Sequence, residues 1–314
     1  MIRVSNLVKR YRRADRNAVD DIGFSVEAGE FFALLGPNGA GKTTTISILT
    51  TTLSKTSGSV AIAGNDVDRA PRRVRESIGV IFQKPSLDEE LSAEENIRLH
   101  VSINGLYAYR PLYRMMPRSY RDRAGRLAEL IGIGAQLFKP VRTFSGGMKR
   151  KLEIIRSLMC SPEVLFLDEP TSGLDPESRA GLWAYLQEVR ERENTTVFLT
   201  THYLEEAEAA DRVCVVNHGR IALVDTPGNM KRRLIERYVL LDSPDRDALR
   251  GELADRRIEF VEGPELKVSY KDATPQRLIS GLRTPLSVFR VHEPSLEDAY
   301  LGLLRRDERA EPSA

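Results

Sequence analysis

A glycine-rich stretch restricts the fold of this chain more than any other feature of its sequence. Residues 36–43 read Gly-Pro-Asn-Gly-Ala-Gly-Lys-Thr and match the pattern G-x-x-x-x-G-K-[ST] at every fixed position. Glycines let the backbone curl until its N–H groups point at a phosphate chain, and the apolar run at residues 30–35 predicts a strand leading into the loop. Because such a loop needs a helix N-terminus behind it, we predict a helix over residues 42–53, although their threonines and isoleucines favour a strand by propensity.

The loop predicts which groups would hold a phosphate chain. Lys42 can reach the β- and γ-phosphates, the Thr43 hydroxyl can hold Mg²⁺, and the helix adds its positive dipole end. The predicted binding segment consists of Gly36, Pro37, Asn38, Gly39, Ala40, Gly41, Lys42, Thr43 and Thr44.

Two adjacent acids supply a second half of this site. Four apolar residues, 164–167, predict a strand buried on both faces of a parallel sheet, and Asp168 and Glu169 follow at its carboxyl end. Open α/β sheets bind their ligands at that end, and neighbouring acids repel each other unless a cation is close. We predict Asp168 as a partner of Mg²⁺ and Glu169 as the base for an attacking water.

The remaining pattern predicts a two-part chain. Short apolar runs alternate with helical patterns in the first half, which indicates a parallel sheet flanked by helices. Further strands are predicted at residues 77–82, 196–200 and 212–217, and a helical stretch at about 92–160. Beyond Pro227-Gly228 the predicted order is strand 238–242, helix 246–255, strands 258–262 and 266–270, helix 275–282 and strand 286–291, with a last helix after Ser295. This βαββαβ order is that of a ferredoxin-like domain.

Composition excludes some functions. The 314 residues suit two domains, and 47 Lys+Arg against 45 Asp+Glu give a net charge of only +2, which argues against a nucleic-acid coat protein. No apolar run approaches the ~20 residues of a membrane-spanning helix, and the N-terminus shows no signal-peptide core. Cys160 and Cys214 form no close-spaced pair and are interpreted as inert thiols in a reducing compartment.

Six landmarks in order carry a family resemblance. After the glycine loop come Gln83 at a strand end, Ser145-Gly146-Gly147, Asp168-Glu169, Gly173-Leu174-Asp175 and His202. Over about residues 1–228 the chain resembles the ATP-binding cassette (ABC) ATPases. The resemblance implies an α/β fold of the P-loop NTPase (RecA-like) type with a helical subdomain at about 85–159. An α+β accessory domain at 229–306 and a disordered tail at 307–314 would follow.

The resemblance also implies roles for individual residues. Gln83 would contact Mg²⁺ and the attacking water, and His202 would bind the γ-phosphate and orient that water. Ser145, Gly146 and Gly147 would open a helix that points at ATP bound to a second copy, with Asp175 at the seam of this homodimer. Tyr11 would stack on adenine; from the residue alone, a surface or packing role stays open. ATP and Mg²⁺ are the implied ligands.

Smaller features indicate the branch of the family. Phe144 replaces the more usual leucine, and Met148 with Lys149-Arg150 is similar to the ABC-2, or drug-resistance, exporters, as is the segment Pro294–Tyr300. The implied function is the ATPase subunit of an exporter, peripheral at the cytoplasmic face of the cell membrane and driving a separate transmembrane permease. The alternatives are an ABC ATPase acting on ribosomes or DNA, disfavoured by the single glycine loop and the absence of a heptad run, and a regulator without turnover, disfavoured by Glu169 and His202.

One segment stays open at this stage. Between Tyr107 and Arg126, six arginines and four tyrosines occur with a single acid, Asp122. The mixture suits nucleic acid, anionic lipid headgroups, a protein partner or an ordinary solvated surface. In the resembling family this segment lies beside the surface that docks the transporter, and we predict contact with the membrane partner or with lipid headgroups.

Overall fold

The computed structural model describes residues 1–83, 86–172, 174–234, 238–270, 275–292 and 295–310. Two compact units divide the chain, Met1–Val224 and Asp225–Ala314. The elements in the order of the first unit are β1 (Ile2–Lys9), β2 (Val19–Val26), β3 (Phe31–Leu35), α1 (Lys42–Leu49), β4 (Ser57–Ile62), β5 (Asn65–Asp66), α2 (Pro71–Ser77), β6 (Ile78–Ile81), α3 (Ala93–Ile103), α4 (Arg118–Ile131), α5 (Gly146–Leu158), β7 (Val164–Asp168), α6 (Pro176–Glu193), β8 (Thr196–Thr201), α7 (Leu204–Glu208), β9 (Arg212–Asn217) and β10 (Arg220–Asp225). The second unit continues with α8 (Pro227–Leu234), β11 (Tyr238–Asp242), α9 (Arg246–Asp255), β12 (Phe260–Val261), β13 (Leu266–Ser269), α10 (Pro275–Ile279), β14 (Val288–His292) and α11 (Leu296–Ala310).

The main sheet of the first unit has the strand order β10-β9-β3-β8-β7-β6. Strands β9, β3, β8, β7 and β6 run parallel, as the apolar runs predict. Strands β3, β7 and β8 are buried along their whole length, as expected for central strands of a parallel sheet that is covered on both faces. The carboxyl ends of β3, β8, β7 and β6 therefore lie side by side at one edge of this sheet.

A second, antiparallel sheet was not predicted. Its order is β2-β1-β4-β5. The signal was present in β2, where buried residues alternate with more exposed ones from Ile22 to Val26. Four phenylalanine rings join the two sheets: the ring of Phe24 lies 5.3 Å from that of Phe32, and the ring of Phe198 lies 5.6 Å from Phe32 and 5.3 Å from Phe166.

The helix after the glycine loop forms, although it is shorter than predicted. It ends at Leu49 rather than at residue 53, because Thr51 adopts a left-handed backbone with φ +59°. Packing on the sheet outweighs strand propensity here, since Thr45, Ile46, Ile48 and Leu49 of α1 are all buried.

Helices α3, α4 and α5 occupy much of the region at about 92–160, as predicted. Helix α3 begins with a capping box in which Ser92 and Glu95 satisfy each other's backbone N–H groups. Inside, Arg98 is buried and pairs with Glu94 at 3.0 Å, and the buried Tyr120 hydroxyl donates to the same carboxylate at 2.9 Å. Pro85, the predicted start of the helical subdomain, lies outside the described residues.

The second unit has the predicted βαββαβ order. Its antiparallel sheet has the strand order β12-β13-β11-β14, and Leu249 and Leu253 of α9 are buried in one cluster with Val239, Leu241, Leu266 and Val268 of the sheet. Four elements are shorter than or shifted from the prediction: β12, β13, α10 and β14. The predicted tail is corrected too, since α11 continues to Ala310; residues 311–314 lie outside the described part.

Candidate nucleotide and hydrolysis site

The glycine loop is held between neighbouring backbones that leave no room for side chains. A Cβ atom on Gly36 would lie 2.3 Å from the carbonyl oxygen of Val216, and one on Gly41 would lie 2.4 Å from that of Ala18. Gly41 also has φ +103° as the residue that opens α1. These two glycines are therefore required by close approach, and at Gly41 also by the left-handed backbone.

Lys42 lies beneath the loop, only 5% exposed. Its Nζ donates to the carbonyl oxygens of Gly36 at 2.7 Å and Pro37 at 3.1 Å, and it lies 3.9 Å from Oε1 of Glu169. Burial lowers the pKa of Lys42, and the charges of Glu169 and Asp168 oppose that shift. The loop thus holds a partly desolvated cation beside the position where phosphates bind to such loops.

The acid pair occupies the end of β7 as predicted. Asp168 is buried and accepts a hydrogen bond from the Thr200 hydroxyl. Burial raises its pKa, the Thr200 hydrogen bond lowers it, and the charge of Glu169 adds to the increase. Glu169 leaves the strand with a left-handed backbone, φ +46°, and its N–H donates to the carbonyl oxygen of Thr200 at 3.0 Å.

Predicted site residues from four strand ends converge on the Glu169 carboxylate. Gln83, after β6, donates from Nε2 to Oε2 at 3.0 Å. His202, after β8, has Nδ1 at 3.1 Å from Oε1, and Lys42, after β3, lies 3.9 Å from that same oxygen. One carboxylate at the sheet edge is therefore surrounded by an amide, an imidazole and an ammonium group.

In the segment Ser145–Gly147, Ser145 and Gly146 are exposed at a helix N-terminus and Gly147 is buried. The Ser145 hydroxyl accepts from the N–H of Met148 at 3.2 Å and caps α5, and nothing lies within 4 Å of a Cβ added to Gly146. Among the contacts of the described residues, none joins this segment to Lys42, Glu169 or His202. Asp175 is exposed at the start of α6, and Gly173 lies outside the described residues.

Tyr11 lies next to the predicted phosphate segment. Its hydroxyl is 3.2 Å from the hydroxyl oxygen of Thr44, and 44% of the residue is exposed. The ring also lies 5.4 Å from the ammonium group of Lys9. An exposed aromatic face beside a phosphate loop has the geometry on which a nucleotide base can stack.

Three residues that support the site were not predicted. The hydroxyl of Thr200 donates to the carboxylate of Asp168. The buried carboxylate of Glu206 accepts hydrogen bonds from the hydroxyl of Thr171, shortly after Glu169, and from that of Thr201, directly before His202. Arg150 donates to backbone carbonyls at two strand ends. The sequence Thr200-Thr201-His202 at the end of a predicted strand could have indicated the role of the Thr200 hydroxyl. Nothing in the sequence shows what Glu206 and Arg150 contact.

A glycine loop that opens a helix after a buried parallel strand, with an acid pair at the end of a nearby parallel strand, defines a P-loop nucleoside triphosphatase. The comparisons with known proteins narrow this class. The family described as ABC transporter matches residues 19–172. The daunorubicin/doxorubicin resistance ATP-binding protein DrrA of Streptomyces peucetius is 35% identical over 319 residues, which cover 96% of this chain and 92% of that protein.

Other relatives agree. The Nod factor export ATP-binding protein I of Burkholderia pseudomallei is 36% identical over 306 residues, 95% of each chain. The dimeric structure of a bacterial ABC transporter cassette matches with a TM-score of 0.63 and 25% identity, covering 72% of this chain and 98% of that one. The chain belongs to the ABC transporter family, as an ATP-binding and ATP-hydrolysing protein of the exporter type. Within the described residues, no helix is both long and apolar enough to span a bilayer.

Proposed function

We propose that this chain is the ATPase subunit that drives an ABC-2 type exporter, with hydrolysis carried out at the Glu169 carboxylate. The observation that supports this most directly is the approach of Gln83, His202 and Lys42, from three other strand ends, to within 3.0–3.9 Å of that carboxylate. A general base needs a carboxylate that a water can reach and neighbours that orient that water. Glu169 is 12% exposed by its side chain, and His202 beside it is 34% exposed.

The phosphate chain of ATP would lie in the loop from Gly36 to Thr44, against backbone N–H groups and the N-terminus of α1. Lys42 would exchange its contacts with the carbonyls of Gly36 and Pro37 for phosphate oxygens, and Tyr11 would stack on the adenine. His202 would bind the γ-phosphate. Glu169 would take a proton from the water whose oxygen attacks the γ-phosphorus, and ADP would leave.

The donor chemistry at this edge of the sheet suits Mg²⁺. In nucleotide sites Mg²⁺ is bound by one or two carboxylates together with substrate phosphates, and no dedicated cage is needed. In the part of the chain that the structure describes, no three His, Cys, Asp or Glu side chains cluster as a metal site, which agrees with that mode. Asp168, Thr43 and Gln83 are the oxygen-bearing side chains that would hold the ion, and the ion would neutralise charge on the phosphates when bound.

Two copies would act together. Ser145 and the exposed Gly146 open α5 ahead of Gly147, and within the described residues no hydrogen bond or ion pair joins these three to Lys42, Glu169 or His202. A capped helix N-terminus binds anions. It would therefore contact the γ-phosphate of ATP held by the other copy, with Asp175 at the seam. The dimeric cassette that this chain resembles supports this arrangement.

A separate permease would carry the substrate across the membrane. One of the matched relatives is named for drug resistance and another for Nod factor export, and the second name supports an export role. The chain would then lie peripherally at the cytoplasmic face of the cell membrane, bound to this permease. The alternative of action on ribosomes or DNA has no such support among them.

Glu169→Gln tests the assignment of the base. The amide keeps the hydrogen-bonding shape and cannot accept the proton, so turnover should fall by about 10²–10⁴-fold while ATP binding remains. The dimer should then accumulate with bound ATP in size-exclusion chromatography. The matched control is Glu163→Gln at the opposite end of the same strand, which should hydrolyse ATP like the wild type. Normal turnover in Glu169→Gln would refute the assignment.

A second contact surface involves the segment Tyr107–Arg126. Three of its tyrosines pack internally: the ring of the buried Tyr120 lies 5.6 Å from that of Tyr107 and 6.2 Å from that of Tyr113. By contrast, Tyr109, Leu112 and Met115 are 59%, 46% and 49% exposed, next to the exposed Arg110, Arg114 and Arg118. Exposed apolar groups beside arginines suit anionic lipid headgroups next to the permease.

Charge reversal tests this surface. A variant with Arg110→Glu, Arg114→Glu and Arg118→Glu should lose co-sedimentation with vesicles that contain anionic lipid, and its binding to neutral vesicles should be unchanged. ATPase activity in solution should persist, because these residues lie outside the site. Equal recovery of variant and wild type with anionic vesicles would rule out the lipid contact.

A further inference from the structure

Arg150 is a buried cation in the first turns of α5, four residues after the first glycine of the exposed N-terminus. Only 4% of the residue is exposed, and four of its N–H groups have acceptors. Three of these acceptors are backbone carbonyls of other segments, and the fourth is the carboxylate of Glu153 on the same helix at 2.9 Å. A charged side chain with so many specific acceptors fixes the position of the groups around it.

The carbonyls that Arg150 contacts belong to residues adjacent in sequence to the proposed catalytic residues. Nη2 donates to the carbonyl oxygen of Asp168 at 3.2 Å, and Nε donates to that of Pro170 at 2.8 Å. These two carbonyls flank Glu169 on either side. Nη1 donates to the carbonyl oxygen of Phe82, the residue before Gln83. The guanidinium of Arg150 therefore holds the backbone next to Gln83 and next to Glu169, the two residues whose side chains are hydrogen-bonded to each other at the site.

The backbone of Glu169 needs such support. Its φ of +46° lies in the left-handed region, which residues with side chains disfavour and which persists where the surroundings determine it. The N–H of Glu169, bonded to Thr200, and the carbonyl of Asp168, bonded to Arg150, together fix the peptide unit before Glu169. The carbonyl of Pro170, also bonded to Arg150, fixes the peptide unit that follows Pro170. The direction of the carboxylate depends on this conformation.

The chemistry of the contact requires arginine. A guanidinium offers five N–H donors in a planar fork, whereas a lysine ammonium offers three donors from a single atom. Glu153, 3% exposed, balances the buried charge and also accepts from the N–H of Ser86, which lies just beyond the Gln83 segment. The pair thus spans from α5 to the ends of both β6 and β7.

We propose that Arg150 is a positioning residue for hydrolysis, which holds Glu169 and Gln83 in register and connects them to the helix that Ser145 begins. This inference rests on the proposed role of Glu169. Helix α5 is the helix whose N-terminus is proposed to contact ATP bound to the second copy. The inference implies that a movement of α5 also moves the carboxylate of Glu169 and the side chain of Gln83.

A double-mutant cycle tests the inference in the full-length chain. Single-turnover hydrolysis with enzyme in excess is measured for the wild type, Arg150→Gln, Glu169→Gln and the double variant, together with the Kd of a fluorescent ATP analogue. Arg150→Gln should slow hydrolysis by about 10–100-fold, because small misplacements of a reacting group have effects of that size. Its Kd should stay within about threefold, because Arg150 has no contact with the phosphate loop. The double variant should be no slower than Glu169→Gln alone, because Arg150 acts through that carboxylate.

The outcomes separate the two proposals. Wild-type rates in Arg150→Gln, or a double variant slowed by the product of both single effects, would overturn the positioning role while leaving Glu169 as base. Normal turnover in Glu169→Gln would instead remove the proposed base and the positioning role with it.

Two further variants exclude a general loss of structure. Arg98→Gln is the matched control: Arg98 is also 4% exposed, pairs with Glu94 and donates to one carbonyl, yet contacts no site residue. It should hydrolyse ATP at the wild-type rate per folded molecule, as judged by circular dichroism. Arg150→Lys keeps the charge and should remain within about threefold of Arg150→Gln, because one ammonium cannot reach carbonyls on both sides of Glu169. Full recovery in Arg150→Lys would show that charge alone matters and would overturn the bridging role.

Discussion

The ionisable groups at the candidate site of the first unit and one carboxylate of the second unit are in opposite electrostatic situations. At the sheet edge of the first unit, burial lowers the pKa of Lys42 and raises that of Asp168, so each charge opposes folding. In the second unit, hydrogen bonds from Thr284 and from the N–H of Arg283 lower the pKa of Glu252 to about 2. The site in the first unit holds charges that lack full compensation, whereas the carboxylate of Glu252 in the second unit is satisfied by the Thr284 hydroxyl and by two backbone N–H groups.

This contrast distinguishes charges that serve binding and catalysis from charges that stabilise the fold. Groups desolvated without full compensation are typical of binding and catalytic sites, and a carboxylate with several donors is typical of a structural contact. Three variants test whether the separation holds, in order of the expected effect.

Lys42→Ala should have the largest effect. It removes a charge-assisted contact with phosphate, which contributes about 1.5–3 kcal/mol, so the Kd for ATP should rise by roughly 10–150-fold. The thermal midpoint without nucleotide should not fall, because burial disfavours the ammonium in the folded chain. Calorimetric titration with ATP and a thermal melt measure both quantities.

The control for Lys42 is Lys55→Ala, since Lys55 pairs with Asp68 away from the loop. If Lys42→Ala had a lower thermal midpoint and an unchanged ATP affinity, Lys42 would be a stabilising residue, like Glu252, and not a ligand-binding residue.

Asp168→Asn should separate stability from turnover. The folded pKa of Asp168 lies above the unfolded value, so its ionisation opposes folding increasingly as the pH rises from about 4 through the raised pKa. The variant should therefore melt no lower than the wild type at pH 7, with the difference disappearing below about pH 4, and it should lose hydrolysis.

Thermal melts at a series of pH values, with the ATPase rate at pH 7, measure this. Asp20→Asn is the contrasting control, because hydrogen bonds from Asn17 and Arg220 lower the pKa of Asp20. Its midpoint should fall at pH 7 relative to the wild type. A lower thermal midpoint for Asp168→Asn than for the wild type at pH 7 would contradict the conclusion that the ionised Asp168 carboxylate destabilises the folded chain.

Glu252→Gln should have the smallest effect, confined to the second unit. A lowered folded pKa contributes stability above about pH 4.5, and that contribution is lost as the pH falls through about 2. Amide hydrogen exchange in β11 and α9 should be faster in the variant than in the wild type at pH 7, and the two should converge near pH 2. The exposed Glu259→Gln on the same unit serves as control, and equal exchange rates in all three proteins would remove the stabilising role of Glu252.

Several elements of both units could be predicted from local patterns. Strands 212–217 and 238–242 and helix 246–255 have the predicted bounds, because apolar runs and turn signals bracket each of them. The antiparallel sheet was missed, because its pairing joins Ile2 to Ile62 and no short window of sequence contains both strands. The tyrosines between 107 and 120 illustrate the same limit, since sequence could not separate the buried Tyr120 from the exposed Tyr109.

The amino-acid sequence by itself determined the glycine loop, the acid pair, the order of the landmarks and the family to which they belong, because each is a pattern of neighbouring residues with its own chemistry. Only the tertiary structure decided that Gln83 bonds to a carboxylate 86 positions away and that Arg150 holds the carbonyl of Phe82 across 68 positions. The left-handed backbone of Glu169 was decided there too. The physical reason is that side-by-side strand ends bring distant residues within hydrogen-bonding distance, and only packing determines which donor meets which acceptor.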